Sequence, residues 1–115
     1  MNNKNLYSVK DVCDRYGITR KALFYYDRSG LLKPSERQGK QQFKYYDDET
    51  INRLESILEY RSAGLSIDDV RKVIDINDKE KILKILMEAK ERLNQETRQK
   101  EKEIRKLDEL IRMNS

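Results

Sequence analysis

The segment KALFYYDRSGLLKP, residues 21–34, combines cationic side chains with three consecutive aromatic residues. Lys21 and Arg28 carry positive charge, and Tyr25 and Tyr26 add hydroxyl groups that can donate hydrogen bonds. Donors of these kinds bind anionic groups such as phosphates. The chemistry to expect from this segment is therefore recognition of a polyanion, provided that the surrounding elements turn these side chains outward.

Positive charge is concentrated in the first part of the chain. Residues 1–46 carry 10 Lys or Arg against 4 Asp or Glu, a net charge of +6, whereas residues 47–115 carry 15 against 17, a net charge of −2. A basic face attracts polyanions, so this asymmetry favours nucleic-acid binding by the first part. An ordinary solvated surface is the alternative that charge alone leaves open.

Catalytic and metal-binding chemistry lacks its usual side chains. The 115 residues include no histidine and one cysteine, Cys13. A zinc site or a Cys–His nucleophile pair therefore has no parts, and no glycine-rich phosphate loop occurs. We predict a protein that is not an enzyme and has neither a cofactor nor a metal site. Cys13 is interpreted as a buried residue of the first helix rather than a sensor.

No membrane or secretion signal is present in the sequence. No apolar run approaches the roughly 20 residues that span a bilayer, and the polar start MNNKN lacks the apolar segment of a signal peptide. A lone cysteine cannot form an internal disulfide, which agrees with a cytoplasmic setting. These observations predict a cytoplasmic protein without a membrane partner.

Cap and turn residues predict a winged helix-turn-helix in the first part. Ser8 starts one helix that ends at Gly17, and Thr19 caps a second helix that runs through about Ser29. The segment SERQGKQQFKYY, residues 35–46, predicts a short β-hairpin that forms the wing.

Two further helices precede a long one. Asp47 or Asp48 caps a third helix, and Ser66 opens a fourth. No helix breaker then appears from Asp78 until Asn114, and a helix of this length extends roughly 54 Å. The sequence therefore predicts a mainly α fold, with a winged helix-turn-helix DNA-binding domain over residues 1–76 and a dimerisation helix over residues 77–115.

The long helix has two apolar clusters that need a partner, because such a helix cannot fold back along its length onto a small domain. A solitary helix laced by internal ion pairs is the alternative. The residues predicted to form the dimer seam are Ile82, Leu86, Ala89, Leu93, Thr97, Lys100, Ile104, Leu107, Leu110 and Ile111.

The orientation of the two helices follows from the charges in the seam. In a heptad frame set by Leu86, Leu93 and Leu107, Lys100 shares their position. A parallel pair would place Lys100 against its own copy. An antiparallel pair centred near Thr97 brings Lys100 close to Glu96 of the other copy, so we predict an antiparallel coiled-coil homodimer.

The segments ALFYYDRSGLLKP and FKYYDDETINRL, followed by AGLSIDDV, resemble the DNA-binding domain of the bacterial mercury-resistance-regulator (MerR) family. The resemblance covers Leu6 to about Asp75. It implies a dimer that binds the spacer of promoter DNA and bends or untwists it, so that RNA polymerase is affected indirectly. Only MNS follows the long helix, which implies a short form without a separate effector-binding domain. A fragment of a longer regulator is the alternative, and no inducer is implied.

The resemblance also implies which residues meet double-stranded DNA. Tyr25 aligns with a family position whose hydroxyl meets the DNA backbone, and Asp27 aligns with an acid that orients basic side chains. Arg20 starts the second helix and has two open roles, a base contact and a phosphate contact. The full set of implied DNA-binding residues is Thr19, Arg20, Lys21, Tyr25, Tyr26, Arg28, Arg37, Lys40, Lys44 and Tyr45.

Two positions depart from the family pattern. The family usually has arginine where this chain has Phe24, and again where it has Lys44. Lys21 and Arg28 are candidates to replace the phosphate contacts expected there. Two other functions stay open beside the regulator: an architectural DNA-binding protein of the excisionase type, and a coiled-coil adaptor.

Overall fold

Eight helices and strands follow one another in the computed structural model, which describes residues 5–115. In chain order they are β1 (Leu6–Ser8), α1 (Val9–Tyr16), α2 (Arg20–Arg28), β2 (Glu36–Gln38), β3 (Phe43–Asp47), α3 (Asp48–Ser62), α4 (Ile67–Ile74) and α5 (Lys79–Met113). The predicted mainly α fold with a winged helix-turn-helix and a long last helix is confirmed. None of the described helices is both long enough and apolar enough to cross a membrane.

The elements fall into two compact units, Met1–Tyr60 and Arg61–Ser115, with the boundary inside α3. The first unit contains the helix-turn-helix and the sheet, and the second contains α4 and α5. The division after residue 76 that the sequence suggested separates functions rather than compact units, and it stays a prediction.

The sheet has three antiparallel strands in the order β1-β3-β2, so β3 is central. The sequence predicted the hairpin of β2 and β3, but it missed β1. This strand has only three residues, too few to show the alternation of apolar and polar residues that predicts a strand. Its last residue, Ser8, is of a type typical of a helix cap. Ser8 does both, because it pairs with Tyr45 in the sheet and also caps α1.

Side-chain caps begin α1 and α2 where the sequence placed them. The Ser8 hydroxyl accepts the N–H of Asp11 at 3.1 Å, and the Asp11 carboxylate accepts the N–H of Ser8 at 3.0 Å. This reciprocal pair satisfies two of the N–H groups that a helix start leaves without partners. Thr19 caps α2 by accepting the N–H of Ala22 at 3.1 Å.

The first unit has a buried core to which α1, α2, β3 and α3 contribute. Asp47 rather than Asp48 caps α3, since its carboxylate accepts the N–H of Thr50 at 2.9 Å. Cys13 is half-buried rather than fully buried as the sequence suggested, and this burial raises the pKa of its thiol. The buried hydrophobic residues of this unit are Val12, Leu23, Tyr26, Leu31, Leu32, Tyr46, Ile51, Leu54 and Ile57.

In the second unit, α4 packs against the first part of α5. Val70 and Val73 of α4 are buried, and Arg92 of α5 pairs with Asp69 at 3.0 Å. Ala89 is the one residue of α5 that is buried among those described. From residue 90 onward every residue of α5 is exposed, which is unusual for a helix that carries large apolar side chains.

The hydroxyl of Tyr46 is buried without a hydrogen-bond partner among the described residues, and burial raises the pKa of Tyr46 to about 12. Tyr46→Phe removes a hydroxyl that forms no hydrogen bond. We therefore expect the free energy of unfolding either to increase or to decrease slightly, with any decrease smaller than about 1 kcal/mol. Urea denaturation measures this change.

Tyr16→Phe is the matched control, because the Tyr16 hydroxyl donates to Glu55 at 3.0 Å. This control is expected to lose stability. A loss greater than about 1 kcal/mol in Tyr46→Phe would mean that the buried hydroxyl is hydrogen-bonded in solution.

Candidate nucleic-acid interface

The start of α2 presents two cationic side chains to solvent. Arg20 and Lys21 form the first turn of the helix, and both are exposed. Thr19 fixes where this turn begins, because its hydroxyl oxygen accepts the N–H of Ala22. This arrangement suits a helix whose first turn meets an anionic surface.

The two adjacent tyrosines of α2 have different environments. Tyr25 is 45% exposed, whereas Tyr26 is 6% exposed and belongs to the core. Successive residues of a helix point about 100° apart, so neighbouring side chains can face opposite environments. The resemblance implied for Tyr26 both a DNA contact and partial packing in the core. The DNA contact is corrected, since the side chain is packed inside the protein.

A buried carboxylate on α2 binds two cations of the wing. The Nη2 atom of Arg37 lies 2.9 Å and 3.0 Å from the two carboxylate oxygens of Asp27. The Nζ atom of Lys44 lies 3.0 Å from Oδ2 of the same carboxylate, whose side chain is only 8% exposed. These contacts confirm that Asp27 orients nearby basic side chains.

The strand register explains why this carboxylate is needed. Arg37 of β2 pairs directly with Lys44 of β3, and like charges directly opposite each other destabilise a sheet. Asp27 lies against both cations and neutralises part of their charge. Burial alone would raise the pKa of Asp27, but the hydrogen bonds from Lys44 and Arg37 outweigh it and hold the pKa below its ordinary value.

A second contact between α2 and the wing involves an aromatic ring. The Nζ atom of Lys44 lies 4.0 Å from the centroid of the Phe24 ring, which is within the range of a cation–π interaction. Sequence reasoning treated Phe24 and Lys44 as two separate departures from the family pattern. Local periodicity cannot reveal this contact, because the residues lie 20 positions apart on different elements.

A concave groove of about 500 Å³ opens between the start of α2 and the wing. Arg20 and Phe24 line one side, and Phe43, Lys44 and Tyr45 line the other. The wall also includes Lys10 of α1, and Phe43 is 57% exposed. Sequence reasoning missed both of these residues; an exposed aromatic residue beside basic side chains is the signal that could have found Phe43.

The other predicted DNA-binding residues do not line this groove. Arg28 is exposed at the last turn of α2, and Lys40 is exposed in the turn of the wing. The groove therefore brings together Arg20, Lys44 and Tyr45, while Arg28 and Lys40 lie outside it.

The residues of the predicted dimer seam also differ in their exposure, since one is buried in the single chain and others are exposed. Ala89 is 2% exposed in the single chain, so it has no surface left for a partner and is corrected to a core residue. Nearer the end of α5, the seam residues Ile104, Leu107 and Ile111 are 58%, 59% and 63% exposed.

Comparison with known proteins identifies the family of this chain. The family model described as MerR HTH family regulatory protein matches residues 7–75. The chain belongs to this family. The HTH-type transcriptional activator TipA of Streptomyces coelicolor is 41% identical to it over 69 residues, which are 60% of this chain and 27% of TipA. The chain thus aligns with only about a quarter of the length of this MerR-family relative.

Solved structures of MerR-family proteins share the fold. MtaN, the N-terminal part of the Bacillus subtilis multidrug transporter activator, has a TM-score of 0.75 and 26% identity, covering 91% of this chain and 97% of MtaN. HiNmlR, a MerR family regulator lacking the sensor domain, was solved bound to promoter DNA. It has a TM-score of 0.59 and 18% identity, covering 87% of this chain and 79% of its own, so it shows likeness of fold alone.

Asp27→Asn tests the bridge between helix and wing. The amide cannot neutralise Arg37 and Lys44, so we expect the free energy of unfolding at pH 7 to fall by about 1–3 kcal/mol. The folded-state pKa of Asp27 is lowered. The advantage of the wild type should therefore be present above the unfolded-state pKa and disappear as pH falls through the lower folded-state pKa.

Urea denaturation at a series of pH values measures this advantage. Asp14→Asn is the matched control, because its pair with Lys10 is exposed at the surface of α1, and it should change stability little at any pH. Equal stability of Asp27→Asn and wild type at pH 7 would contradict the bridge.

Proposed function

We propose that this protein regulates transcription by binding promoter DNA as a homodimer. The proposal rests on membership of the MerR family together with one observation. The first turn of α2 carries exposed Arg20 and Lys21, and Tyr25 on the same helix is also exposed. Cations and hydroxyl donors on the second helix of a helix-turn-helix suit the major groove and its flanking phosphates.

In the proposed mechanism, α2 enters the major groove while the wing meets the neighbouring backbone. Arg20 contacts a base edge, and Lys21, Arg28 and Lys40 contact phosphates together with the Tyr25 hydroxyl. Two such domains in a dimer hold both halves of the promoter spacer and change its bend or twist. The energy of deforming the DNA is offset by the added contacts, and RNA polymerase responds to the altered spacer. Binding to bacterial promoter DNA places the protein in the cytoplasm.

The dimer is proposed to form through α5. Residues 1–76 then bind DNA, and residues 77–115 bind the partner chain. The large apolar side chains exposed along α5 support this, since a monomer would leave them in water. The antiparallel orientation rests on the charges of Lys100 and Glu96 in the heptad frame. Ala89 is excluded from the proposed seam because it is already buried.

Family membership favours the regulator over an excisionase-like protein or a coiled-coil adaptor. Binding of a duplex from the promoter of the protein's own gene tests this directly. We expect affinity to fall steeply as salt rises, because phosphate contacts release counterions. If no duplex is bound even at low salt, the proposed function is wrong.

Arg20→Ala tests the base contact. We expect it to reduce the preference for the promoter duplex over a scrambled duplex by about 1–3 kcal/mol, because a two-point contact between arginine and guanine is lost. Fluorescence anisotropy with both duplexes at one salt concentration measures this preference. Lys102→Ala, which removes one exposed positive charge from α5, is the matched control. An equal loss of affinity for both duplexes would assign Arg20 to a phosphate instead.

Leu107→Lys tests the seam of the dimer. A charge in an apolar seam should raise the dimer dissociation constant by about 10–100-fold, since burial of a leucine is lost in each chain. Sedimentation equilibrium measures this constant. The matched control is Asp108→Lys, which introduces the same side chain one position outside the seam and should leave the dimer intact. A tight dimer of Leu107→Lys would contradict the antiparallel seam.

A further inference from the structure

Lys44 is a cation whose charged end points into the protein. Its side chain is 20% exposed, although lysine normally keeps its ammonium group in water. The Nζ atom lies 3.0 Å from the carboxylate of Asp27 and 4.0 Å from the ring centroid of Phe24. Both partners belong to α2, whereas Lys44 lies in the central strand of the sheet.

Phe24 and Asp27 together form one binding site for the ammonium group of Lys44. Phe24 and Asp27 are three residues apart on α2, so their side chains lie on the same face of the helix. The carboxylate accepts a hydrogen bond from Lys44 and offsets part of its charge. The ring face adds a second favourable contact without needing another hydrogen-bond acceptor. A lysine held in this way joins the wing to α2 at a defined distance.

Arg37 differs from Lys44 although both pair with Asp27. The Arg37 side chain is 38% exposed against 20% for Lys44. A carboxylate with one negative charge shared between two cations leaves net positive charge at this place. The more exposed Arg37 is the member of the pair that can offer this charge to a phosphate.

We propose that Lys44 is a positioning residue that fixes the wing against the DNA-reading helix and does not itself contact DNA. The inference rests on the proposed function, because it assigns how α2 and the wing are held for one duplex. Lys44 also lines the groove between these elements. Loss of its contacts with Phe24 and Asp27 would therefore change the shape of the surface that meets DNA.

The test compares Lys44→Gln, Phe24→Leu and the double variant on the promoter duplex across a series of KCl concentrations. Phe24→Leu is informative because it removes no charge. We expect each single variant to weaken binding by about tenfold, with the salt slope unchanged, and the double variant to bind about as weakly as Lys44→Gln. Lys44→Arg keeps the charge and should restore most of the affinity.

Lys40→Gln is the matched comparison, since it removes the same charge from the exposed turn of the wing. Its salt slope should become less steep by about 0.9, the value for one lost phosphate contact. The inference is overturned if Lys44→Gln shows that same change in slope, or if the effects of Lys44→Gln and Phe24→Leu multiply in the double variant.

Hydrogen exchange in the free protein separates this inference from the proposed function. The backbone N–H groups of β2 and β3 should exchange faster in both single variants than in the wild type, and unchanged exchange would overturn the inference. If wild-type protein binds no duplex, the proposed function fails while this measurement still decides the role of Lys44. If Lys44→Gln does not fold, Phe24→Leu alone decides the DNA-binding test. Weaker binding at an unchanged salt slope supports the inference, and unchanged affinity overturns it.

Discussion

A single buried carboxylate joins the helix and the wing of the first unit. Asp27 lies on α2, and it pairs with two cations that the strand register places directly opposite each other, Arg37 and Lys44. Without a negative charge between them, these cations would repel each other across the hairpin. The arrangement therefore links strand pairing to helix position, and both elements that are proposed to meet DNA depend on the same ionised group.

Many of the helices and strands could be predicted from local sequence signals. Ser8 and Thr19 begin helices where their side chains can accept N–H groups, and Asp78 begins the long helix by the same chemistry. These interactions span two to three residues, so they are visible in the sequence itself. The hairpin was predicted for a similar reason, because its two strands are close in the sequence.

The features that the sequence did not reveal depend on contacts between distant segments. Strand β1 exists because it pairs with β3, about 40 residues later. The burial of Tyr26 follows from packing that local periodicity cannot resolve, and Ala89 is covered within the second unit for a similar reason. Phe24 and Lys44 are the clearest case. Each departs from the family pattern, and only the fold shows that the two departures contact each other.

The proposed account joins this packing to promoter recognition. A rigid connection between α2 and the wing would let one domain hold a groove and the adjoining backbone at fixed spacing, which is what deformation of DNA requires. Hydroxyl-radical footprinting on the promoter of the protein's own gene tests this claim most directly. The account predicts protection of two symmetric half-sites within the spacer between the polymerase elements. Absence of protection, or protection confined to DNA outside that spacer, would contradict it.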